Sequence, residues 1–242
     1  EWRNNQYIDS TKYIQMDNLN NKTVLDYGCG PGNDLVNISI LSKPKKLLAT
    51  DVSQEAILRA RQRTKLHNLD VDFIKINENQ KIHVINDKSL DVIHSNGVLH
   101  HVEDIEIVFN EFHRMLKDDG YAQVMIYNKE SIWFHLHVAF EMKIKRNLFK
   151  NSKNEEIFKR TTDGFNCPVS VCYRPKNFIN LCKSYDFNCQ LTGVSVSLFE
   201  MSKLNMIWEA LKSQELEKES ADFLKEIRFN DRGLPVFKKN NA

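Results

Sequence analysis

The chain has 242 residues, more than one typical domain and fewer than two comfortable ones, so one domain with an elaboration is expected, long enough to bury a real core. Hydrophobic residues at 41% and charged residues at 27% exclude disorder, collagen and fibrous repeats. Lys+Arg 34 against Asp+Glu 32 leave a net charge of +2, too small to be an electrostatic footprint for nucleic acid or an anionic membrane. The most apolar stretch, 132–140, is short and carries His135 and His137, so no membrane insertion is expected. No charged segment followed by an apolar run and a small-residue cleavage site opens the chain, which predicts a soluble, cytoplasmic protein. Glu1 rather than Met stands first, so a few residues are expected before it. The five cysteines are odd in number and form no C-x-x-C pair, the pattern of reduced thiols and not of a disulfide framework or zinc site.

In chain order, residues 22–27 form a short apolar run ending in Gly28-Cys29-Gly30-Pro31-Gly32, and a helical pattern through Leu35, Val36 and Ile40 follows. Residues 47–51 are a second run, with Ser53 as N-cap of a helix through Ala56, Ile57 and Ala60. Residues 71–76 and 90–95 read as third and fourth strands. Val102, Ile105, Phe109, Phe112 and Leu116 recur at helical spacing, Asp118-Asp119-Gly120 would stop that helix, and 121–127 is a fifth strand. Strands alternating with helices predict a doubly wound α/β fold with a mostly parallel sheet. The expected plan is a single domain: an N-terminal helix over 1–20, a ligand-binding core over 21–128, a helical lid insertion over 129–168, closing αβ elements over 169–199 and a helical C-terminal extension over 200–242. Within it, 189–198 is strand-like. Pro235 makes 234–237 a poor final strand, and the charged tail would cover the sheet edge or form a homodimer contact.

Asp26-Tyr27-Gly28-Cys29-Gly30-Pro31-Gly32 follows a strand and opens a helix, so its glycines let backbone N–H groups approach a ligand at the strand's carboxyl end. Asp51 ends the next strand about 20 residues on, where a carboxylate can bridge two ribose hydroxyls. The spacing is G-x-G-x-G, and the G-x-G-x-x-G that a nicotinamide enzyme requires is absent. Together with Ala49-Thr50-Asp51-Val52-Ser53, Ser95-Asn96-Gly97-Val98-Leu99-His100-His101 and Arg114-Met115-Leu116-Lys117-Asp118-Asp119-Gly120, this loop resembles the successive motifs of class I S-adenosylmethionine-dependent methyltransferases, nearest the bacterial small-molecule branch called type 11. The resemblance covers 22–127 and implies a Rossmann-like methyltransferase fold. It also implies S-adenosyl-L-methionine as cofactor, S-adenosyl-L-homocysteine as product, and in-line methyl transfer to an O or N atom of a small molecule.

Carried over residue by residue, the resemblance implies that Gly28, Cys29, Gly30 and Gly32 line the methionine and ribose part of the cofactor, and that Asp26 orients the loop. Asp51 would take the ribose hydroxyls and Val52 would pack on adenine. Asn77 or Glu78 would stand where the family places an acidic adenine partner. Ser95, Asn96 and Gly97 would reach the cofactor amino acid largely by backbone groups. Methyltransferases of exocyclic nucleobase amines carry Pro-Pro after the fourth-strand Asn or Asp, whereas Gly97-Val98 follows Asn96 here. Cytosine-C5 enzymes use Pro-Cys, whereas Cys167-Pro168 is reversed, so no nucleic-acid substrate is expected.

His100 and His101 sit beside the expected transfer site, where an imidazole can take a proton from the nucleophile, and the Tyr127 hydroxyl would face the substrate. Tyr7 and Tyr13, in the first helix, are further substrate-side candidates. Trp133, His135 and His137 are expected to pack, with no metal site. The basic residues between Lys143 and Lys153 are a solvated face or, on a lid, an attractor of anionic substrates. The competing class is a non-catalytic S-adenosylmethionine-binding or scaffold protein, with the tail holding a partner.

Overall fold

The structure, a computed structural model, describes residues 6–77 and 81–237. Its packing divides the chain into two compact units: residues 9–127 with 176–193, and residues 1–8 with 128–175 and 194–242.

The first unit is a five-stranded sheet: β1 (Thr23–Tyr27), β2 (Lys46–Asp51), β3 (Asp72–Lys75), β4 (Leu90–Asn96) and β5 (Leu116–Met125). Every pairing in it is parallel, in the order β3-β2-β1-β4-β5. Parallel neighbours require crossovers, and helices supply three of the four connections: α1 (Asn33–Leu41), α2 (Gln54–Leu66) and α3 (Ile105–Met115). A fourth helix, α4 (Pro175–Ser184), rejoins the unit later in the chain. Val24, Leu25 and Asp26 are consecutive buried residues in β1, the signature of a strand covered on both faces. Met16, Leu19, Val24, Leu35, Ile38, Leu47, Ala49, Ala60 and Val92 form one core. The order reverses between β1 and β4, and at such a switch point the carboxyl ends of the strands leave a crevice for a ligand. The doubly wound α/β fold is thus present.

Three details differ from the sequence expectation. Asp118-Asp119-Gly120 does not stop α3, which ends at Met115; Leu116 already pairs with Leu90, and a register shift before the Val92–Tyr121 pair absorbs the acidic residues as a bulge inside β5. The first helix shrinks to one turn, Ser10–Tyr13, preceded by a strand, Tyr7–Ile8. Residues 189–195 are irregular, and the strand expected over 189–198 reduces to Val196–Ser197, which pairs antiparallel with Tyr7–Ile8.

The second unit is mainly helical. A wide helix with i→i+5 character, Trp133–Lys145, buries eight consecutive side chains from Phe134 to Glu141, so it is enclosed all round. Ile132, Leu136 and Phe140 pack with Ala210, Leu224 and Ile227. The helices Asn154–Thr162, Leu198–Lys203, Ile207–Lys212 and Lys218–Glu226 complete the unit. Leu198–Lys203 starts on a capping box between Ser197 and Glu200. The poor final strand does form, but as a hairpin apart from the main sheet: Pro235–Phe237 pairs antiparallel with Ile227–Phe229. The basic residues of 143–153 are not a free attractor: Lys143 meets Glu217, Lys145 meets Glu209, Arg146 meets Glu141 and Lys150 stands 3.9 Å from Glu215. No helix among the described residues is long and apolar enough to cross a membrane.

Candidate functional site

The loop after β1 is held by the neighbouring strand. The Gly28 and Cys29 N–H groups both donate to the Thr50 carbonyl, at 2.8 and 2.9 Å, and Gly32 N–H donates to Cys29 O at 3.0 Å. Two glycines here have distinct reasons. Gly28 has φ +76°, and a Cβ on it would lie 2.4 Å from Val98 Cγ2, so the loop after β4 can approach only a glycine. Gly30 has φ +51°, but a Cβ on it would meet nothing within 4 Å; the space beyond it is open. Gly32, expected to line the ligand, is buried, and its missing Cβ instead admits Ala60 of α2 at 3.0 Å.

Asp51 ties loop and strand together. One carboxylate oxygen accepts the Gly30 N–H and the other the Ser53 N–H, each at 2.8 Å. Each oxygen keeps a further lone pair, which is what two vicinal hydroxyls would need. Ser53 caps α2 by accepting from Ala56 N–H at 3.2 Å, so Asp51 is not the capping residue. Val52 is 46% exposed beside it, free to meet a flat apolar ring. Asp26 is 2% exposed, and the Cys29 thiol is held protonated by burial and by the nearby Asp26 and Asp51 charges. Asn77 is exposed, its carbonyl 3.4 Å from Lys75 Nζ. Glu78 lies outside the described residues.

The end of β4 faces the same loop. Ser95 Oγ donates to Tyr27 O at 3.1 Å, and Gly97, φ +81°, donates its N–H to Met125 O at 3.1 Å. Asn96 turns its side chain to α1, donating from Nδ2 to Asp34 at 2.8 Å. The same Asp34 oxygen lies 3.1 Å from His94 Nε2, and His94 Nδ1 lies 3.1 Å from the Gln123 amide nitrogen, which also donates to Gln15 O. Gln123 therefore donates to Nδ1, and His94 donates its Nε2–H to Asp34. The sequence reading missed this buried row. Its only trace was an acidic residue in the first turn of a helix and a histidine inside an apolar strand.

His100 and Tyr127 stack at 3.6 Å, and His101 stands edge-on to both. His100 is fully buried, and its Nδ1 accepts the Tyr127 backbone N–H at 3.3 Å. The neutral ring therefore carries its proton on Nε2, which has no partner among the described residues. Burial, with the adjacent His101, pushes its pKa down to about 3. In this state His100 is a hydrogen-bond donor and not a proton acceptor. His101 is half-buried. Tyr7 lies in the Tyr7–Ile8 strand and not in a helix, while Tyr13 covers Gly193.

In the helical unit the expected packing roles hold. His135 accepts from or donates to Ser220 Oγ at 3.0 Å and stacks on Phe223, and Trp133 Nε1 donates to Thr162 at 2.8 Å. His137 shares Glu141 with Lys203 and Arg146, at 2.6, 2.7 and 2.6 Å. A cavity of about 760 Å³ in the sheet unit is lined by Thr23, Lys46, Asp72 and Leu90, the first residues of four strands. It lies at the end of the sheet away from the glycine loop.

An open cradle at Gly30, a carboxylate with spare acceptor capacity and an exposed apolar side chain fit a nucleoside cofactor with vicinal hydroxyls. Comparisons with known proteins agree. The chain is 25% identical over 172 residues to the ubiquinone biosynthesis O-methyltransferase of Glaesserella parasuis, covering 70% of this chain and 66% of that one. It is 32% identical over 117 residues to an uncharacterized 37.1 kDa protein of a Streptomyces fradiae transposon, covering 46% and 32%. It thus spans about two thirds of one curated relative and a third of the other. An S-adenosylmethionine-dependent methyltransferase from Aquifex aeolicus superposes with a TM-score of 0.45 at 23% identity, covering 52% of this chain and 68% of that one. One from Mesorhizobium loti superposes with a TM-score of 0.42 at 20% identity, covering 47% and 50%. Residues 18–174 match the family described as Methyltransferase domain, and the chain belongs to that family.

Proposed function

We propose that this protein transfers the methyl group of S-adenosylmethionine to an oxygen or nitrogen atom of a small molecule by in-line displacement. The observation that carries the reading is the open cradle at Gly30 beside the Asp51 carboxylate, at the switch point of the sheet. Gly28, Cys29 and Gly30 would hold the amino-acid and ribose portions. Asp51 would hold the ribose hydroxyls, Val52 the adenine face and Asn77 the adenine edge. Ser95, Asn96 and Gly97 would bound the site from β4, with Asp26 beneath the loop. When bound, the cofactor supplies an electrophilic methyl group on a sulfonium.

The protein's own contribution is alignment and proton handling. Alignment of donor and acceptor is worth about 7–11 kcal/mol, and a base typically adds 10²–10⁴-fold. His101 is the base in this reading, because His100 already carries its proton on the free nitrogen and would instead donate a hydrogen bond. Tyr127 fixes His100 by stacking and through its N–H. Oxygen is placed first as acceptor because the similar Glaesserella parasuis protein is named an O-methyltransferase. The five free thiols suit a reducing, cytoplasmic setting.

The test is incubation with isotope-labelled S-adenosylmethionine and fractionated metabolites, followed by mass spectrometry of the labelled product. A labelled small molecule together with S-adenosylhomocysteine is expected. Tight cofactor binding with no S-adenosylhomocysteine from any fraction would favour the scaffold class. His101→Ala should lower turnover by roughly the 10²–10⁴-fold typical of a lost base, whereas His100→Ala, which removes a hydrogen-bond donor, should lower it less. The opposite pattern would return the base role to His100.

A further inference from the structure

Asp34 stands in the first turn of α1, just past the glycine loop, yet its carboxylate is buried and turned toward β4. One of its oxygens takes two hydrogen bonds, from Asn96 Nδ2 at 2.8 Å and from His94 Nε2 at 3.1 Å. The row continues across the sheet: Gln123 donates to His94 Nδ1 and to Gln15 O, each at 3.1 Å. His94 and Gln123 face each other in register, so the strands fix this order of donors and acceptors. A helix N-terminus favours a negative charge, which suits the carboxylate to accept from both donors while buried.

Asn96 ends β4, and the turn that follows it forms one wall of the crevice at the switch point. That turn is held in three ways. The Asn96 side chain is tied to α1 through Asp34, and the Gly97 N–H is tied to Met125 O of β5. Val98 rests over Gly28, where a Cβ would come within 2.4 Å of it. The second hold joins strand to strand and the third is a packing contact. The first runs from the turn to the helix that leaves the glycine loop, so it spans the two walls between which a ligand would lie.

We infer that Asp34 is a positioning residue for the cofactor: acting through Asn96, it sets the spacing between the glycine loop and the turn after β4. The inference rests on the reading that this crevice holds S-adenosylmethionine. Asp34 acts at one remove from the ligand. Without it the Asn96 amide is unanchored, the turn loses its hold on α1, and the crevice has to be ordered afresh at each binding event, which weakens affinity. A carboxylate that served the fold alone would leave affinity untouched as long as the chain stayed folded.

The test compares cofactor affinities of the full chain by isothermal calorimetry, at a temperature where thermal unfolding shows each variant folded. Asp34→Ala should weaken S-adenosylmethionine and S-adenosylhomocysteine by about tenfold each, the effect of one lost hydrogen bond to a charged group. Asp34→Asn, which keeps an oxygen to accept from Asn96, should retain most of the affinity. Asn96→Ala leaves Asp34 bonded to His94 and should match the loss in Asp34→Ala, so it decides the matter even if that variant fails to fold. The double variant should bind no more weakly than either single one. Unchanged affinity in folded Asp34→Ala or Asn96→Ala would reduce the row to a fold element and overturn the inference. So would an additive loss in the double variant, or a loss confined to S-adenosylmethionine, which would mark a direct action of the charge on the sulfonium. A wild-type protein that binds neither molecule would instead remove the cofactor reading itself, and the inference with it.

Discussion

Asp51 in the sheet unit and Glu141 in the helical unit are both buried carboxylates, and they are satisfied differently. Asp51 is met by the N–H groups of Gly30 and Ser53. Backbone donors fix this group in direction while leaving a lone pair available on each oxygen. In the helical unit Glu141 is met by His137, Lys203 and Arg146. That carboxylate is neutralised from within the unit, and its surroundings are a fastening. The difference teaches where to look for chemistry: a polar group whose partners leave acceptor capacity is poised for a ligand, while one saturated by internal cations holds structure.

The sharpest way to break this comparison is to remove Glu141, which is only 5% exposed. Taking one member from a buried ion cluster strands the others, and Glu141→Ala should cost about 3–5 kcal/mol of stability, read by chemical denaturation. A loss below about 1 kcal/mol would show that the cluster behaves as a surface pair. Although burial raises its pKa, hydrogen bonds from Lys203, His137 and Arg146 hold Glu141 at about 2 against an ordinary 4.5. The unfolded carboxyl takes up its proton first as acid is added. The stabilisation is therefore full above pH 4.5 and fades as pH falls toward 2, by on the order of 3 kcal/mol in total. An acid-unfolding curve that is unchanged in the Glu141→Gln variant would contradict this.

The cofactor side of the comparison turns on Asp51. Asp51→Ala should weaken S-adenosylmethionine binding by about 1.5–3 kcal/mol, roughly ten- to a hundredfold, because hydrogen bonds to an ionised acceptor are lost. Isothermal calorimetry measures it, and unchanged affinity would remove Asp51 from the site. Gly30 and Gly28 separate binding from folding within one loop. Gly30→Ala places a methyl in open space at a left-handed φ, at a conformational cost of about 1–2 kcal/mol, and should reduce cofactor affinity beyond that. Gly28→Ala drives a Cβ into Val98 and should lose stability first. Equal effects of the two on affinity at equal stability would erase the distinction.

Local chemistry made the sheet unit legible in the sequence. β1 to β4, the Ser53 cap and the glycine loop follow from short-range patterns that a strand–turn–helix unit obliges, and each stands within one or two residues of its expected position. The start of β5 was misplaced because a bulge lets Asp118-Asp119-Gly120 occupy a strand, and a bulge leaves no periodic trace. Asp34, His94 and Gln123 escaped because each is ordinary where it stands: the register of β4 beside β5 makes His94 and Gln123 neighbours, and Asp34 meets His94 from α1. The strand expected over 189–198 failed for a related reason. Its apolar side chains Leu191, Val194 and Leu198 stand exposed along an irregular path, with Gly193 under the Tyr13 ring, and its partner strand, Tyr7–Ile8, is two residues long. In the helical unit, composition announced helices but not their fastening, since Glu141 and Lys203 are far apart in sequence.

The smallest expected effect tests whether the basic side chains of 143–153 serve the substrate or the fold. Lys145 Nζ lies 2.5 Å from a Glu209 oxygen, and both side chains are about half exposed, at 42% and 53%. An exposed pair of this kind is worth about 0–1 kcal/mol and is screened by salt, so Lys145→Ala should shift stability by no more than that. If the residue served instead to gather an anionic acceptor, its loss would raise KM several-fold at low salt, and added salt would erase the difference between the two proteins. The pairing with Glu209 argues for the first outcome: a KM that is the same in both proteins and flat in salt, because the lysine's charge is already answered within its own unit.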